Sequence, residues 1–198
     1  MSSEVKANKL SPATGTDFTF GDSGDTFTVP SGATITNSGT ATGFGDDNSP
    51  AFEATVGSVQ AGITSGVATK VAFNTEVFDV GGNYDHATNY RFVAPEAAKY
   101  FMYSCNRLVG DGGIGTLYEA YSYFYLNGSG TDYLTYYDFR GPGGNGDSLL
   151  SFTITNSVIM DLAENDYVEV FANVGTSTST WTVQNNLGAF FGFKMAGI

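Results

Sequence analysis

The sequence predicts an all-β chain folded as an antiparallel sandwich of two sheets. Glycine, phenylalanine and tyrosine are abundant, at 26, 16 and 12 of 198 residues, and only 14% of residues are charged; helical proteins draw on Ala, Leu, Glu, Lys and Arg instead. Apolar and aromatic residues recur at every second position in run after run, joined mostly by short Gly, Asn and Asp turns. No run sustains the spacing of a helical stripe.

The length suits one sizeable core and one main domain. Twenty acidic residues against eight Lys and Arg give a formal charge of -12, which repels nucleic-acid phosphate and anionic membrane surfaces. Neither nucleic acid nor membrane insertion is expected, and no run approaches the roughly 18–20 apolar residues of a spanning helix. Cys105 is the single cysteine, so there is no intrachain disulfide framework. The opening "MSSEVKANKL" lacks the apolar stretch of a secretory signal. Synthesis in cytoplasm is expected, with any work outside a cell reached by lysis or within an assembled particle.

Residues 1–14, with Lys6 and Lys9 and no periodicity, read as a flexible leader or a particle anchor. Residues 15–49 read as a β-rich oligomeric stem: Phe18/Phe20, Phe27/Val29 and Ala33/Ile35 form short alternating pairs punctuated by Gly, Asp, Pro and Asn. Each pair buries only two small apolar faces, so the segment needs neighbours, from its own chain as a small solenoid or from identical chains in a three-sided stem.

Residues 50–198 carry the remaining bulk. "FEATVGSVQAGI" and "TKVAFNTEVFDV" open this region, and "KYFMYSCNRLV", "TLYEAYSYFYLNG", "DYLTYYDFRG" and "SLLSFTITNSVIM" follow. "DYVEVFANV", "TWTVQNN" and "GAFFGFKMAG" close it. In the first long strand Tyr100, Met102 and Ser104 share one face, and Phe101, Tyr103 and Cys105 the other. In the next, Tyr118, Phe124 and Leu126 alternate with Tyr121, Tyr123 and Tyr125. One face of each fills the sandwich, and an ordinary sandwich leaves the other polar. The second aromatic face therefore needs a cover, and with no covering helix in the sequence the expected cover is further copies of the chain, through Tyr103, Tyr121, Tyr123 and Tyr125.

Catalytic patterns are sparse. His86, the only histidine, sits in the polar stretch "GGNYDHATNY" without a nucleophile elbow nearby. "GDGGIG" at 110–115 has dinucleotide-type glycine spacing but runs into a strand pattern where that chemistry needs a helix. The carboxylates Asp46/Asp47, Asp79/Asp85 and Glu164/Asp166 lie in turn-like segments, where solubility is the plain explanation; Asp46 and Asp47 are the candidates for a calcium-like hard cation. No other cofactor is expected. "NGS" at 127–129 fits a glycosylation acceptor and, more simply, a hairpin turn. The candidate contact patch is Tyr136, Tyr137, Phe139 and Arg140, together with Trp181. These groups suit saccharide or protein recognition by stacking and forked hydrogen bonds, and interior packing is the competing explanation for each.

The spacing in 50–198 resembles the globular head of complement component 1q and its tumour-necrosis-factor relatives. The resemblance runs through Pro50, Ala51 and Phe52, then Phe73, Asn74 and Asp79, then Tyr84, Phe92 and Tyr100. It ends on Asn165, Asp166 and Val168 and on Phe190, Phe191, Gly192 and Phe193. Tyr84 and Phe92 stand one residue further apart than in that pattern, Ala98 occupies a Gly place, and Met102 replaces an aromatic. The resemblance implies a homotrimeric ten-strand jelly roll without a catalytic centre, and carries over no ligand. Residues 9–45 resemble stem segments of bacteriophage fibre and virion structural proteins. Together these imply a virion-located fibre or receptor-binding protein, joined to a virion structural protein through its N-terminal region and attaching to a host-surface glycan or protein. The alternative is a structural decoration or spacer protein of the capsid.

Overall fold

The computed structural model describes residues 10–36, 38, 48–111, 117–141, 149–177 and 180–196, with the backbone alone at 131 and 132. The chain divides into two units, Met1–Phe44 and Gly45–Ile198. In the first, the expected three-residue strands are not formed: among its described residues there are only turns and irregular segments. Phe18, Phe20 and Phe27 gather with ring centroids 4.7 and 5.6 Å apart, yet Phe20 and Phe27 remain 65% and 68% exposed. Two apolar side chains per segment do not offset the ordering of so much backbone within one chain.

The second unit is an all-β, jelly-roll-like sandwich of two antiparallel sheets. Its strands in chain order are β1 (Ala51–Thr55), β2 (Gln60–Ile63), β3 (Thr69–Lys70), β4 (Thr75–Val80), β5 (Tyr84–Asp85), β6 (Arg91–Val93), β7 (Ala98–Gly110), β8 (Leu117–Leu126), β9 (Ser129–Asp138), β10 (Ser151–Leu162), β11 (Tyr167–Thr176), β12 (Trp181–Val183) and β13 (Ala189–Lys194). The described residues thus hold thirteen strands where ten were expected. The surplus comes from pieces of two or three residues, too short to show an alternation in sequence.

The first sheet runs β2-β12-β7-β13-β1-β4, with β10 also paired to β7; the second runs β5-β6-β11-β8-β9, with β3 also paired to β11. Strand β7 is long enough to be shared. Along one edge β10 pairs with it from Ala98 to Val109, while β13 and β12 divide the other. Asn127 and Gly128, both at positive φ (51° and 81°), form the two-residue turn between β8 and β9, as Asn-Gly requires for the right-handed strand twist. The Asn127 amide donates to Asp166 Oδ1 at 2.7 Å, so this asparagine is engaged in joining two turns.

The core lies between the sheets and is aromatic. Phe52 on β1 stacks on Tyr84 and Phe92 of the facing sheet at 4.8 and 5.0 Å and meets Phe190 edge-on at 4.9 Å. Several residues that carried the sequence resemblance are these core rings, with Phe73 and Tyr100. Asn165 takes φ 69°, a conformation that Asn tolerates better than most side chains. A polar strut crosses the same core. Asn156 of β10 donates to the Ser122 and Tyr133 carbonyls at 3.1 and 3.2 Å and accepts from Thr135 at 3.1 Å, while Ser104 and Asn106 of β7 both reach Ser122 Oγ.

Candidate functional site

Period-two alternation sends Tyr121, Tyr123 and Tyr125 of β8 outward while Ala120, Ser122 and Phe124 are buried. Register then fixes their neighbours. Tyr121 lies opposite Tyr136 of β9 and Asn173 of β11, Tyr123 opposite Leu134 and Phe171, and Tyr125 opposite Glu169. The rings close into two groups. Tyr121 stacks between Tyr136, at 4.6 Å, and Tyr123, at 5.7 Å with planes 5° apart. Tyr125 stacks on Phe171 at 3.9 Å and stands at 81° to Tyr123. Gly130 of β9 makes room for that pair, since a Cβ there would fall inside the Tyr125 ring.

At the Tyr136 end sits a charged cluster. Glu119 Oε1 accepts from the Tyr136 hydroxyl at 3.2 Å and from Arg140 Nη2 at 2.6 Å. Arg140 also grips Asp138, with Nε to Oδ1 at 2.9 Å and Nη2 to Oδ2 at 2.7 Å. The forked guanidinium and a backbone N–H hold the Asp138 carboxyl well below the usual carboxylate range and raise the arginine in turn. Burial, with Glu119 beside it, pushes the Tyr121 hydroxyl up to about 12, and burial likewise raises Tyr123 and Tyr136. The phenols thus remain protonated donors at neutral pH. Because their ring faces are largely occupied by one another, they offer a ligand hydroxyl groups and ring edges. The arrangement suits hydrogen-bonded recognition of a polar partner.

The structure regroups the residues singled out from sequence. Tyr121, Tyr123, Tyr125, Tyr136 and Arg140 form one continuous surface. Tyr103, expected to share an interface with the first three, lies on the opposite outer side of the sandwich, and a single flat contact cannot include both. Tyr137 and Phe139 leave the patch: they pack with Phe152 of β10, at 5.0 and 4.8 Å, where the two sheets meet. Trp181 is a correction. It is fully buried, pinned between β7 and β2, and presents no surface to a ligand. Asp46 and Asp47 lie outside the described residues. Among the described residues no three His, Cys, Asp or Glu side chains gather as a metal-holding group, and His86 pairs with Glu76 at 3.1 Å.

Glu119, Asp138, Phe171 and Gly130 were not anticipated. For the first two a signal was present: Glu119 shares the parity of Tyr121, and Tyr136, Asp138 and Arg140 share another. Phe171 and Gly130 become neighbours only through cross-strand register.

Around Tyr103 the outer side of the first sheet has a different chemistry. Two cross-strand rows span β4, β1, β13, β7 and β10: Phe78, Glu53, Phe191, Tyr103 and Ser157, and beside it Val80, Ala51, Phe193, Phe101 and Ile159. Tyr103 stacks on Phe191 at 4.7 Å and Phe101 packs on Phe193 at 5.4 Å. Phe78, Val80 and Ile159 are 43–53% exposed. Glu53 is the one charge in the band.

No protein-family model and no curated protein matches the chain. Among solved structures it is similar to the globular domain of the zebrafish complement 1qA protein, at 14% identity over 74% of this chain and 96% of that one, with a TM-score of 0.46.

Proposed function

We propose that the chain is a non-catalytic, oligomeric binding head that holds a surface glycan on the tyrosine face of its second sheet, and that copies associate through the apolar band of the first. The observation that carries this is the contrast between the two outer sides: one is a five-strand band mainly of Phe, Val and Ile with Tyr103 and Glu53 within it, the other a hydroxyl-rich row flanked by carboxylates and arginine. In a closed ring every subunit turns the same side to the axis. With the apolar band inward, each tyrosine face points outward, and weak contacts at equivalent sites reinforce one another on a repetitive surface.

Of the residues expected from sequence, this keeps Tyr121, Tyr123, Tyr125, Tyr136 and Arg140, moves the three β8 tyrosines from subunit packing to ligand binding, and leaves subunit packing to Tyr103 and its neighbours. A threefold state and a place on a virus particle are proposed from the sequence of residues 9–198. Asp138, ionised against Arg140, is a poor proton donor for a hydrolase, which supports binding without turnover.

The test is the full chain on a glycan array, together with its mass by sedimentation at micromolar concentration. Expected results are a threefold assembly and glycan binding that Tyr121→Ala and Tyr136→Ala each weaken about tenfold. A monomer would overturn the assembly, and binding unmoved by either substitution would overturn the site. A decoration role has one observation in its favour, since the same apolar band would seat on a shell subunit. Particle imaging distinguishes the two: a projecting head supports attachment, and a head lying flat between shell subunits supports decoration.

A further inference from the structure

Arginine beside stacked tyrosines ordinarily invites an acidic ligand, because its fork matches carboxylate and sulfate. Here the Nε and Nη2 side of the fork is already committed. Nε of Arg140 donates to both oxygens of Asp138, at 2.9 and 3.2 Å, and Nη2 donates to Glu119, Asp138 and the Tyr136 hydroxyl at 2.6, 2.7 and 3.2 Å. One guanidinium is shared by two carboxylates, so this end of the face carries a net negative charge.

Of the other cations on the same face, Lys70 is matched by a carboxylate and Arg91 is covered by a ring, with its Nε buried and without a hydrogen-bond partner. Lys70 pairs with Glu169 at 2.5 Å. Arg91 lies over the Tyr167 ring at 4.3 Å, with Glu169 and Asp85 as its cross-strand neighbours. What is left to a ligand is a line of phenol hydroxyls and carboxylate acceptors, in a chain whose overall charge is -12.

We infer that the tyrosine face takes an uncharged, hydroxyl-rich saccharide and discriminates against sulfated and uronic-acid-bearing ones, with Arg140 as a positioning residue that holds Glu119 and Asp138 as acceptors for sugar hydroxyls. This rests on glycan binding by the same face. The selectivity comes from two sources. Neutral sugar hydroxyls satisfy both the phenol donors and the carboxylate acceptors, whereas an anionic group meets like charge and finds the Nε and Nη2 side of the guanidinium engaged. The low range of the Asp138 carboxyl keeps that charge in place at every physiological pH.

The experiment compares polysaccharides of one backbone with and without charge: dextran against dextran sulfate, and hydroxyethyl cellulose against carboxymethyl cellulose, with neutral mannan and galactan as further uncharged probes. The full chain binds each at low and at physiological salt. Expected is binding to at least one neutral polymer, with any charged counterpart at least about tenfold weaker and the gap narrowing as salt rises. A double variant, Glu119→Gln with Asp138→Asn, should recover binding to the charged polymer by several-fold while its thermal midpoint shows that it still folds. Equal or tighter binding of a charged polymer by the natural chain would overturn the selectivity and leave glycan binding standing. Binding to no polymer in the set, charged or neutral, would remove both together.

Discussion

The two outer sides of this sandwich are built from strands with the same alternation, yet their chemistry differs. On the first sheet the outward positions are mainly Phe78, Val80, Phe101, Phe191, Phe193 and Ile159, with Tyr103, Glu53, Ala51 and Ser157 in the same rows. On the second they are Tyr121, Tyr123, Tyr125 and Tyr136, and the charged groups between them are cross-linked. An apolar ring gains from being covered and gives up nothing in water, so the first side is improved by a dry partner. A tyrosine keeps a hydroxyl that must stay bonded, so the second side suits a partner that is itself polar or wet. Ring content alone does not identify an interface; the preponderance of hydroxyl-bearing rings separates the two, with Tyr103 on the first side and Phe171 on the second as exceptions.

Four substitutions or titrations break or sharpen this contrast, in descending order of effect. Phe101→Asp places a charge in the middle of the apolar band and is expected to weaken self-association about a hundredfold or more, read as a shift to monomer in sedimentation, while a glycan presented monovalently still binds. If Tyr123→Asp dissociates the assembly and Phe101→Asp does not, the two sides have been assigned the wrong way round.

Asn156→Leu removes the strut that ties β10 to the carbonyls of β8 and β9. It is expected to cost about 1–3 kcal/mol by denaturant unfolding, and to loosen both sides equally because the strut belongs to neither. Tyr121→Ala takes out the ring between Tyr136 and Tyr123 and is expected to weaken ligand binding about tenfold, with self-association unchanged.

The smallest effect is in pH. The Tyr121 hydroxyl has a folded value of about 12, raised from the free phenol at about 10. A group raised on folding contributes stability that is complete below its unfolded value and is lost as pH climbs through the folded one. Tyrosinate absorbance is therefore expected to develop late in an alkaline titration, with the ring stack opening between about pH 10 and 12. Asp138 works in the opposite direction. Its value is lowered on folding, so the contribution of its contact to Arg140 is present above about pH 3.9, the unfolded value, and fades only as pH falls toward the lowered one. Ligand affinity is expected to stay flat from about pH 5 to pH 8.

Much of the inside was legible in the sequence. Tyr100, Met102 and Ser104 were placed together from parity alone, and all three are buried. The two-sided aromatic excess of β7 and β8 was visible for the same reason. Trp181 was ambiguous because a three-residue strand after a polar turn shows no alternation, and only pairing on both edges encloses it. The short alternating pairs that suggested a stem in residues 15–49 bury too little to hold a strand, and the described residues there are irregular. The polar strut left a faint trace, with Ser104 and Asn106, Ser122 and Asn156 all at inward parity, but serine and asparagine inside a sandwich take meaning only from the partners that satisfy them.

By itself the sequence determined that residues 50–198 form a β-sandwich, which side of its long strands β7 and β8 is buried, and where the Asn-Gly hairpin turns. Only the tertiary structure decided that Tyr103 and Tyr121 face opposite ways and that Arg140 is shared between Glu119 and Asp138. A side-chain period of two distinguishes inside from outside on a strand, but which outside is set by the sheet the strand joins and the register it takes, and both depend on contacts between residues far apart in the chain.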